Sequence, residues 1–327
     1  MDALFHSVSL TDRKFLVTGG AGFIGSHITA YLLQHGARVR VLDNLATGLP
    51  SNVALFRDHP NYEFMEGDIR DFDVCRRATH GVEYVSHQAA LGSVPRSVKD
   101  PVSSNEVNVS GFVNILTAAK DSGVRTFVYA SSSSVYGDEP NLPKVEQRTG
   151  NLLSPYAVTK MANELYANVF GGLYGIRVAG LRYFNVFGPR QDPNGPYAAV
   201  IPLFVSGIIN RTPVHINGDG EQTRDFTYVD NAVQANVRAM LAEDPAAFGQ
   251  AYNVATGNNY SVNFLYSSIA EILGIDHPPV YREPRAGDIR DSLADISKAQ
   301  RLLGYQPTHQ FMDGLKVTVD HFRNYYS

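Results

Sequence analysis

The stretch Thr18-Gly-Gly-Ala-Gly-Phe-Ile-Gly25 constrains this chain more than any other. A short apolar run, Phe15-Leu16-Val17, precedes it, and Ile24, Ile28 and Leu32 follow at helical spacing until Gly36. The order is strand, glycine turn, helix. Gly19, Gly22 and Gly25 let the backbone turn tightly and approach a pyrophosphate, while the helix start supplies N–H donors and a positive dipole end. Glycine turns also serve purely structural connections, so the pattern needs a second feature to give it weight. The next strand supplies one: it spans 38–42 and runs into Asp43, eighteen residues past Gly25, where a ribose-binding acid is expected. Asp43 would accept from a 2′-hydroxyl and repel a 2′-phosphate, which favours NAD over NADP.

The strand–helix rhythm continues. A strand at 62–65 leads to Gly67-Asp68-Ile69, where Asp68 is placed either to meet an adenine amino group or to cap the next helix. A strand at 83–86 runs into His87-Gln88-Ala89-Ala90, whose small residues let a backbone lie close to a cofactor. A long helix is expected over 105–120 and a fifth strand over 127–130, ending in the run Ser131-Ser132-Ser133-Ser134-Val135-Tyr136-Gly137. A serine run can be a plain polar turn. At the carboxyl end of a parallel strand, it lies in the crevice where doubly wound sheets bind ligands. A helix from 155 to about 174 and a strand at 177–182 follow. Strands separated by helices imply a parallel sheet covered on both faces.

Past Asn185 the rhythm breaks into the turn-rich stretches 188–196 and 213–220; a helix follows Arg224-Asp225-Phe226, and a last strand is expected at 251–254. A loop is expected at 282–291. The fold class is α/β: a Rossmann-type doubly wound parallel sheet with a smaller α/β substrate-binding domain. The boundaries are 1–185 and 228–257 for the dinucleotide domain, and 186–227 and 258–327 for the second.

Ser154-Pro155-Tyr156-Ala157-Val158-Thr159-Lys160 carries the candidate chemistry. Ser154 is a good N-cap and Pro155 suits the first helical position, so Tyr156 and Lys160 share one face of a helix. A nearby ammonium favours a phenolate, which makes the two a candidate proton-transfer pair, although surface helices also carry Tyr and Lys four apart by chance. A formal charge of −4 offers nothing to nucleic acid or an anionic membrane. One cysteine, Cys75, permits neither an internal disulfide nor a CxxC metal site, and the 10 histidines form no HExxH motif, so no metal is expected. The first fourteen residues do not read as a signal peptide and no run of about 18 apolar residues occurs, so a cytoplasmic protein is expected.

The glycine stretch, the serine run before Val135-Tyr136-Gly137 and Tyr156-x-x-x-Lys160 together resemble the extended short-chain dehydrogenase/reductases. Leu181-Arg182-Tyr183-Phe184-Asn185-Val186-Phe187-Gly188, Arg224-Asp225-Phe226 and Arg285-Ala286-Gly287-Asp288 look like nucleotide-sugar 4-epimerases, nearest those acting on UDP-N-acetylhexosamines. Gln88 departs from the pattern, where leucine is commoner. The resemblance implies Ser132, Tyr156 and Lys160 as the catalytic residues. It implies that NAD lies along Gly19, Gly22, Phe23, Ile24, Gly25, Asp43, Asn44, Asp68, Ile69, Gln88, Ala89, Ala90, Tyr156, Lys160, Tyr183 and Val186. The UDP-sugar would meet Gly92, Ser93, Ser132, Ser133, Ser134, Tyr156, Asn185, Gln191 and Val200, with Arg224, Arg285 and Asp288 around its diphosphate and ribose. Paired arginines suit phosphate oxygens.

By the same resemblance Tyr156, its pKa lowered by Lys160 and the nicotinamide cation, takes the proton of the sugar's 4-hydroxyl. A 4-keto sugar forms, turns over and is reduced on its opposite face. Ser292, three residues before Asp295, would border the carbon 2 substituent; a small residue there admits an N-acetyl group. UDP-glucose/UDP-galactose or UDP-uronate epimerisation is the alternative, and a catalytically silent NAD-binding regulator is another. A 4,6-dehydratase would need Asp-Glu where Ser133 and Ser134 stand. Family members commonly pair two long helices per subunit, and 105–120 and 156–174 carry apolar Val109, Phe112, Leu116, Leu165 and Val169, so a homodimer is expected.

Overall fold

The computed structural model describes residues 4–193, 199–284 and 290–326. In chain order the elements are β1 (Lys14–Thr18), α1 (Phe23–Gln34), β2 (Arg38–Asp43), α2 (Pro50–Ala54), β3 (Tyr62–Glu66), α3 (Phe72–Thr79), β4 (Tyr84–His87), α4 (Val94–Lys99), α5 (Pro101–Asn105), a π turn (Glu106–Ser110), α6 (Gly111–Asp121) and β5 (Thr126–Ser132). After a 3₁₀ turn (Ser133–Tyr136) come α7 (Pro155–Tyr174), β6 (Arg177–Tyr183), β7 (Val186–Phe187), α8 (Val200–Ile209), β8 (His215–Asn217), β9 (Thr223–Arg224) and β10 (Thr227–Tyr228). The chain ends with α9 (Val229–Met240), β11 (Gln250–Val254), β12 (Tyr260–Ser261), α10 (Val262–Leu273), β13 (Val280–Arg282), α11 (Ser297–Leu303) and α12 (Phe311–Tyr326).

Seven strands form one sheet in the order β11-β6-β5-β4-β1-β2-β3, and every pair is parallel. The order reverses between β1 and β4, so their carboxyl ends open the crevice that defines a doubly wound sheet. Apolar residues cover both faces. Ile28 and Leu32 of α1, Val233 and Val237 of α9, and Ala299 and Leu303 of α11 pack with Val17 and Tyr252 on one face. Phe112, Ile115 and Leu116 of α6, Cys75 and Ala78 of α3 and Ala167 of α7 pack with Val85 and Phe127 on the other. A third cluster gathers Phe187, Phe204, Val205, Phe226, Leu265, Phe311 and Val319, joining α8, α10 and α12 beside the crevice. Among the described residues no helix is long and apolar enough to cross a membrane.

Several local expectations change. Asp68 does not cap α3: Asp71 does, accepting from Asp73 N and Val74 N at 2.9 and 3.1 Å. The helix expected over 105–120 begins earlier, at Pro101, because Asp100 caps it through Ser103 N at 3.0 Å, and a π turn interrupts it. The stretch 213–220 contains β8, which pairs in parallel with β13, so strand structure reaches Arg282 where a loop is expected to begin. Helix α7 keeps its predicted start: Ser154 Oγ accepts from Ala157 N at 3.1 Å, Pro155 opens the helix and Gly175 ends it in a left-handed turn.

Candidate active site

The crevice is built around the turn after β1. Gly19 has φ of +69°, and a Cβ there would lie 2.6 Å from the backbone nitrogen of Ala89, at the end of β4. A Cβ on Gly25 would collide with the carbonyl oxygen of Gly19. Glycine at both places lets the turn, the helix start and β4 meet. Gly22 is the N-cap of α1 and offers no capping side chain, and the first turn carries no acid. The free N–H groups of Phe23, Ile24 and Gly25 therefore fit an anion. Asp43 ends β2 almost wholly buried, its oxygens accepting from Ala21 N at 3.0 Å and Leu45 N at 2.8 Å. Burial raises its pKa and those two bonds oppose the rise. Beyond it, Asn44 donates to Asp68 Oδ2 at 2.9 Å, and Arg70 grips the same carboxylate at 2.7 Å, which holds Asp68 down at about 2. Ile69 is buried beneath Gly111. A cleft with a glycine cradle, an uncapped helix start and a terminal acid fits a dinucleotide.

Across the crevice, Ser132, Tyr156 and Lys160 come together where β5 ends and α7 begins. Burial raises the Tyr156 phenol above its ordinary value, and the neighbouring Ser132 hydroxyl opposes part of that rise. The expected lowering by Lys160 is therefore not a property of the chain alone. The reason is geometric: Lys160 Nζ lies 5.8 Å from the Tyr156 ring centroid and donates to Ala130 O at 2.8 Å. Burial brings Lys160 itself down to about 8. Ser132 caps the 3₁₀ turn by accepting from Ser134 N at 3.1 Å. This turn carries Ser133 and Ser134, and Ser134 Oγ is buried without a hydrogen-bond partner among the described residues. Such an orphan suits a polar ligand.

A cavity of about 340 Å³ opens beside the third cluster, and Asn185, Val186, Gln191, Val200 and Arg224 all line it. Gln191 Oε1 is likewise buried without a partner among the described residues. Asn185 takes a positive φ of 33° and donates from Nδ2 to Asp225 O at 3.3 Å, tying β6 to the β9–β10 link. Arg224 donates to the carbonyls of Thr223 and Arg290 at 2.8 and 3.0 Å. Ser292 does not line the cavity; its N–H donates to Thr223 O at 3.1 Å, next to Arg224. Arg285 and Asp288 lie outside the described residues. Gly92 and Ser93 precede α4, where Ser93 accepts from Arg96 N at 3.2 Å.

Two polar groups, Asn108 and Ser97, carry no signature in the sequence. Asn108, in the π turn, holds the backbone of Leu91 through bonds of 2.8 and 3.2 Å and reaches Thr159 Oγ1 at 3.2 Å, locking the 89–93 loop to α7. π turns often mark functional segments. Ser97 Oγ accepts from Tyr156 N at 3.0 Å. Gln88 gives its departure a reason: Nε2 donates to Ser86 Oγ and Asn236 Oδ1, and Oε1 accepts from Tyr183 Oη, all at 3.0 Å. Asn236 in turn donates to Tyr183 Oη at 2.7 Å. A leucine at 88 would leave the half-buried Tyr183 and the buried Asn236 short of partners.

A doubly wound sheet with a glycine cradle at its switch point and a half-buried Ser–Tyr pair with a buried lysine opposite defines a dinucleotide-dependent enzyme. The chain belongs to the NAD dependent epimerase/dehydratase family, whose profile matches residues 15–255. It is 41% identical to a UDP-glucose 4-epimerase of Mycolicibacterium smegmatis over 313 residues, 95% of this chain and 99% of that one. Among solved structures, a UDP-N-acetylglucosamine 4-epimerase of Methanobrevibacter ruminantium, in complex with UDP-N-acetylmuramic acid, matches with a TM-score of 0.91 at 39% identity, covering 96% of this chain and 99% of that one. A Thermus thermophilus UDP-glucose 4-epimerase in complex with NAD matches with a TM-score of 0.85 at 38% identity, covering 95% and 99%.

Proposed function

We propose that this chain is a UDP-sugar 4-epimerase, and that its preferred pair is UDP-N-acetylglucosamine and UDP-N-acetylgalactosamine. The observation that carries the reading is the half-buried Tyr156 phenol, with Ser132 and Lys160 beside it, within a fold whose relatives act on carbon 4 of UDP-sugars. Gly19, Gly22, Gly25 and Asp43 would hold NAD, which when bound supplies a reversible hydride acceptor for carbon 4. Tyr156 takes the proton of the 4-hydroxyl as that carbon is oxidised and returns it when the carbonyl is reduced. Ser132 hydrogen-bonds the same oxygen in both directions. Lys160, fixed by Ala130 O, keeps a positive charge beside the phenol and favours its anion once the site is filled. Ser134 Oγ and Gln191 Oε1, both buried and unpaired among the described residues, are matched to ligand hydroxyl or amide groups.

Substrate preference rests on Ser292. Its backbone bond to Thr223, neighbour of the cavity-lining Arg224, supports a position at the edge of the sugar site, and its small side chain leaves room for an N-acetyl group. The acetylated pair should then be preferred by roughly ten- to a hundred-fold in kcat/KM, the scale of one amide hydrogen bond in a closed pocket. Ser292→Tyr should abolish turnover of the acetylated sugars and spare the plain hexoses. An equal loss on both pairs would assign Ser292 to the loop instead. Conversion of UDP-N-acetylglucosamine without added reductant, followed by sugar analysis, tests the activity itself; accumulation of NADH would make the enzyme a dehydrogenase.

A further inference from the structure

Between the dinucleotide cleft and the cavity runs a ring of hydrogen bonds centred on Arg190. This residue has φ of +64°, a left-handed conformation that a side chain other than glycine adopts only when its surroundings hold it there. Its Nη1 donates to Ser26 O at 3.1 Å and its Nη2 to His27 Nδ1 at 2.8 Å. An arginine has only protons to give, so Nδ1 presents a lone pair and the His27 proton sits on Nε2. From there it is donated to Pro189 O at 2.9 Å, which closes the ring on the residue before Arg190. The backbone N–H of Arg190 donates to His321 Nε2 of α12 at 3.3 Å.

The ring has one end at each site. Ser26 and His27 lie in the first turns of α1, directly after Gly22, and the His27 ring packs edge-on against Phe23 at 5.8 Å. At the other end, Gln191 follows Arg190, lines the cavity and donates from Nε2 to Val186 O at 3.4 Å, with its Oε1 buried and unpaired among the described residues. Gly188 keeps the loop close: a Cβ there would lie 2.7 Å from Val229 and 3.4 Å from the Phe23 ring. An acceptor moved by an ångström no longer makes its bond, so whatever fixes this loop fixes what Gln191 can bind.

We infer that Arg190 is a positioning residue that sets Gln191 in the sugar-nucleotide cavity from the helix of the dinucleotide cleft. The inference rests on the proposed UDP-sugar substrate. The test is a double-mutant cycle of Arg190→Met and Gln191→Ala on the NAD-loaded protein, read by calorimetric titration with UDP and by steady-state turnover. Each single variant should raise the UDP Kd and the substrate KM about tenfold, the scale of one hydrogen bond to a ligand, with kcat held within about threefold. The double variant should be no worse than either single one, because both remove the same contact. An unchanged UDP affinity in Arg190→Met, or full additivity, overturns the inference. General loosening of the fold would lower kcat together with affinity and add to the loss from Gln191→Ala, so it is told apart. If Arg190→Met does not fold, His27→Phe, which keeps the ring and removes both nitrogens, takes its place in the cycle with the same outcomes. Wild-type protein that holds NAD but binds no UDP would sink the substrate reading, and the inference with it, in an arm read separately from the variants.

Discussion

Tyr156 sits under two opposed influences, burial that raises its pKa and the neighbouring Ser132 hydroxyl that lowers it. Replacing the phenol removes the group we propose to carry the proton of the 4-hydroxyl. Tyr156→Phe should therefore lose several orders of magnitude in turnover while NAD content and UDP binding stay intact. Ser132→Ala should cost less, about 10²-fold in kcat, as for other hydrogen-bonding catalytic groups. Near-normal turnover of Tyr156→Phe would remove it from the mechanism. These residues were legible because their spacing and order are distinctive. Asn108 and Ser97 were not, since a lone Asn or Ser in a helix looks the same whether it faces solvent or holds a loop. Only the π turn and the register of α4 bring them inward.

At the scale of elements, apolar spacing marked the helices but not which of their stripes meets the sheet. Phe112 and Leu116 are fully buried against it, whereas Leu165 and Val169 stand 62% and 53% exposed. Val158 and Leu173 on α7 and Val98 and Val102 on α4 and α5 are exposed as well, and these helices pack side by side. Exposed apolar side chains on adjoining helices are a candidate surface for pairing with a second copy. Light scattering at micromolar concentration should show a dimer, and Leu165→Glu combined with Leu173→Glu should shift it to monomer. A monomeric wild type would count against the pairing.

The whole molecule is held by cross-links between distant segments that a linear reading cannot supply. Asp225, wholly buried, accepts from Thr256 N and Thr256 Oγ1 at 3.0 Å, Gly257 N at 3.1 Å and Ala294 N at 3.3 Å. We propose that 186–227 and 258–327 form a substrate domain, with Asp225 and α11 tying it to the sheet. Burial lifts the Asp225 pKa to about 6 despite those bonds. The folded form then holds its proton more tightly than the unfolded chain, so this contribution to stability is complete below about 4 and lost as pH rises through about 6. Between those limits, the thermal midpoint of the wild type should fall relative to that of Asp225→Asn, whose side chain does not titrate. Parallel curves for the two proteins would assign the pH dependence to other groups.

Cys75 is the chain's single cysteine, fully buried beneath α6, with its thiol donating to Ile69 O at 3.2 Å and pushed up to about 12 by burial. It is thus a built-in reporter. A thiol-reactive dye can label the folded protein only when the layer of α3 and α6 lifts from the sheet, and each dye attached records one such opening. Labelling should be slow in buffer and accelerate with denaturant. If filling the neighbouring cleft with NAD slows the dye further, the same sulfur measures how far cofactor binding tightens the face of the sheet covered by α3 and α6.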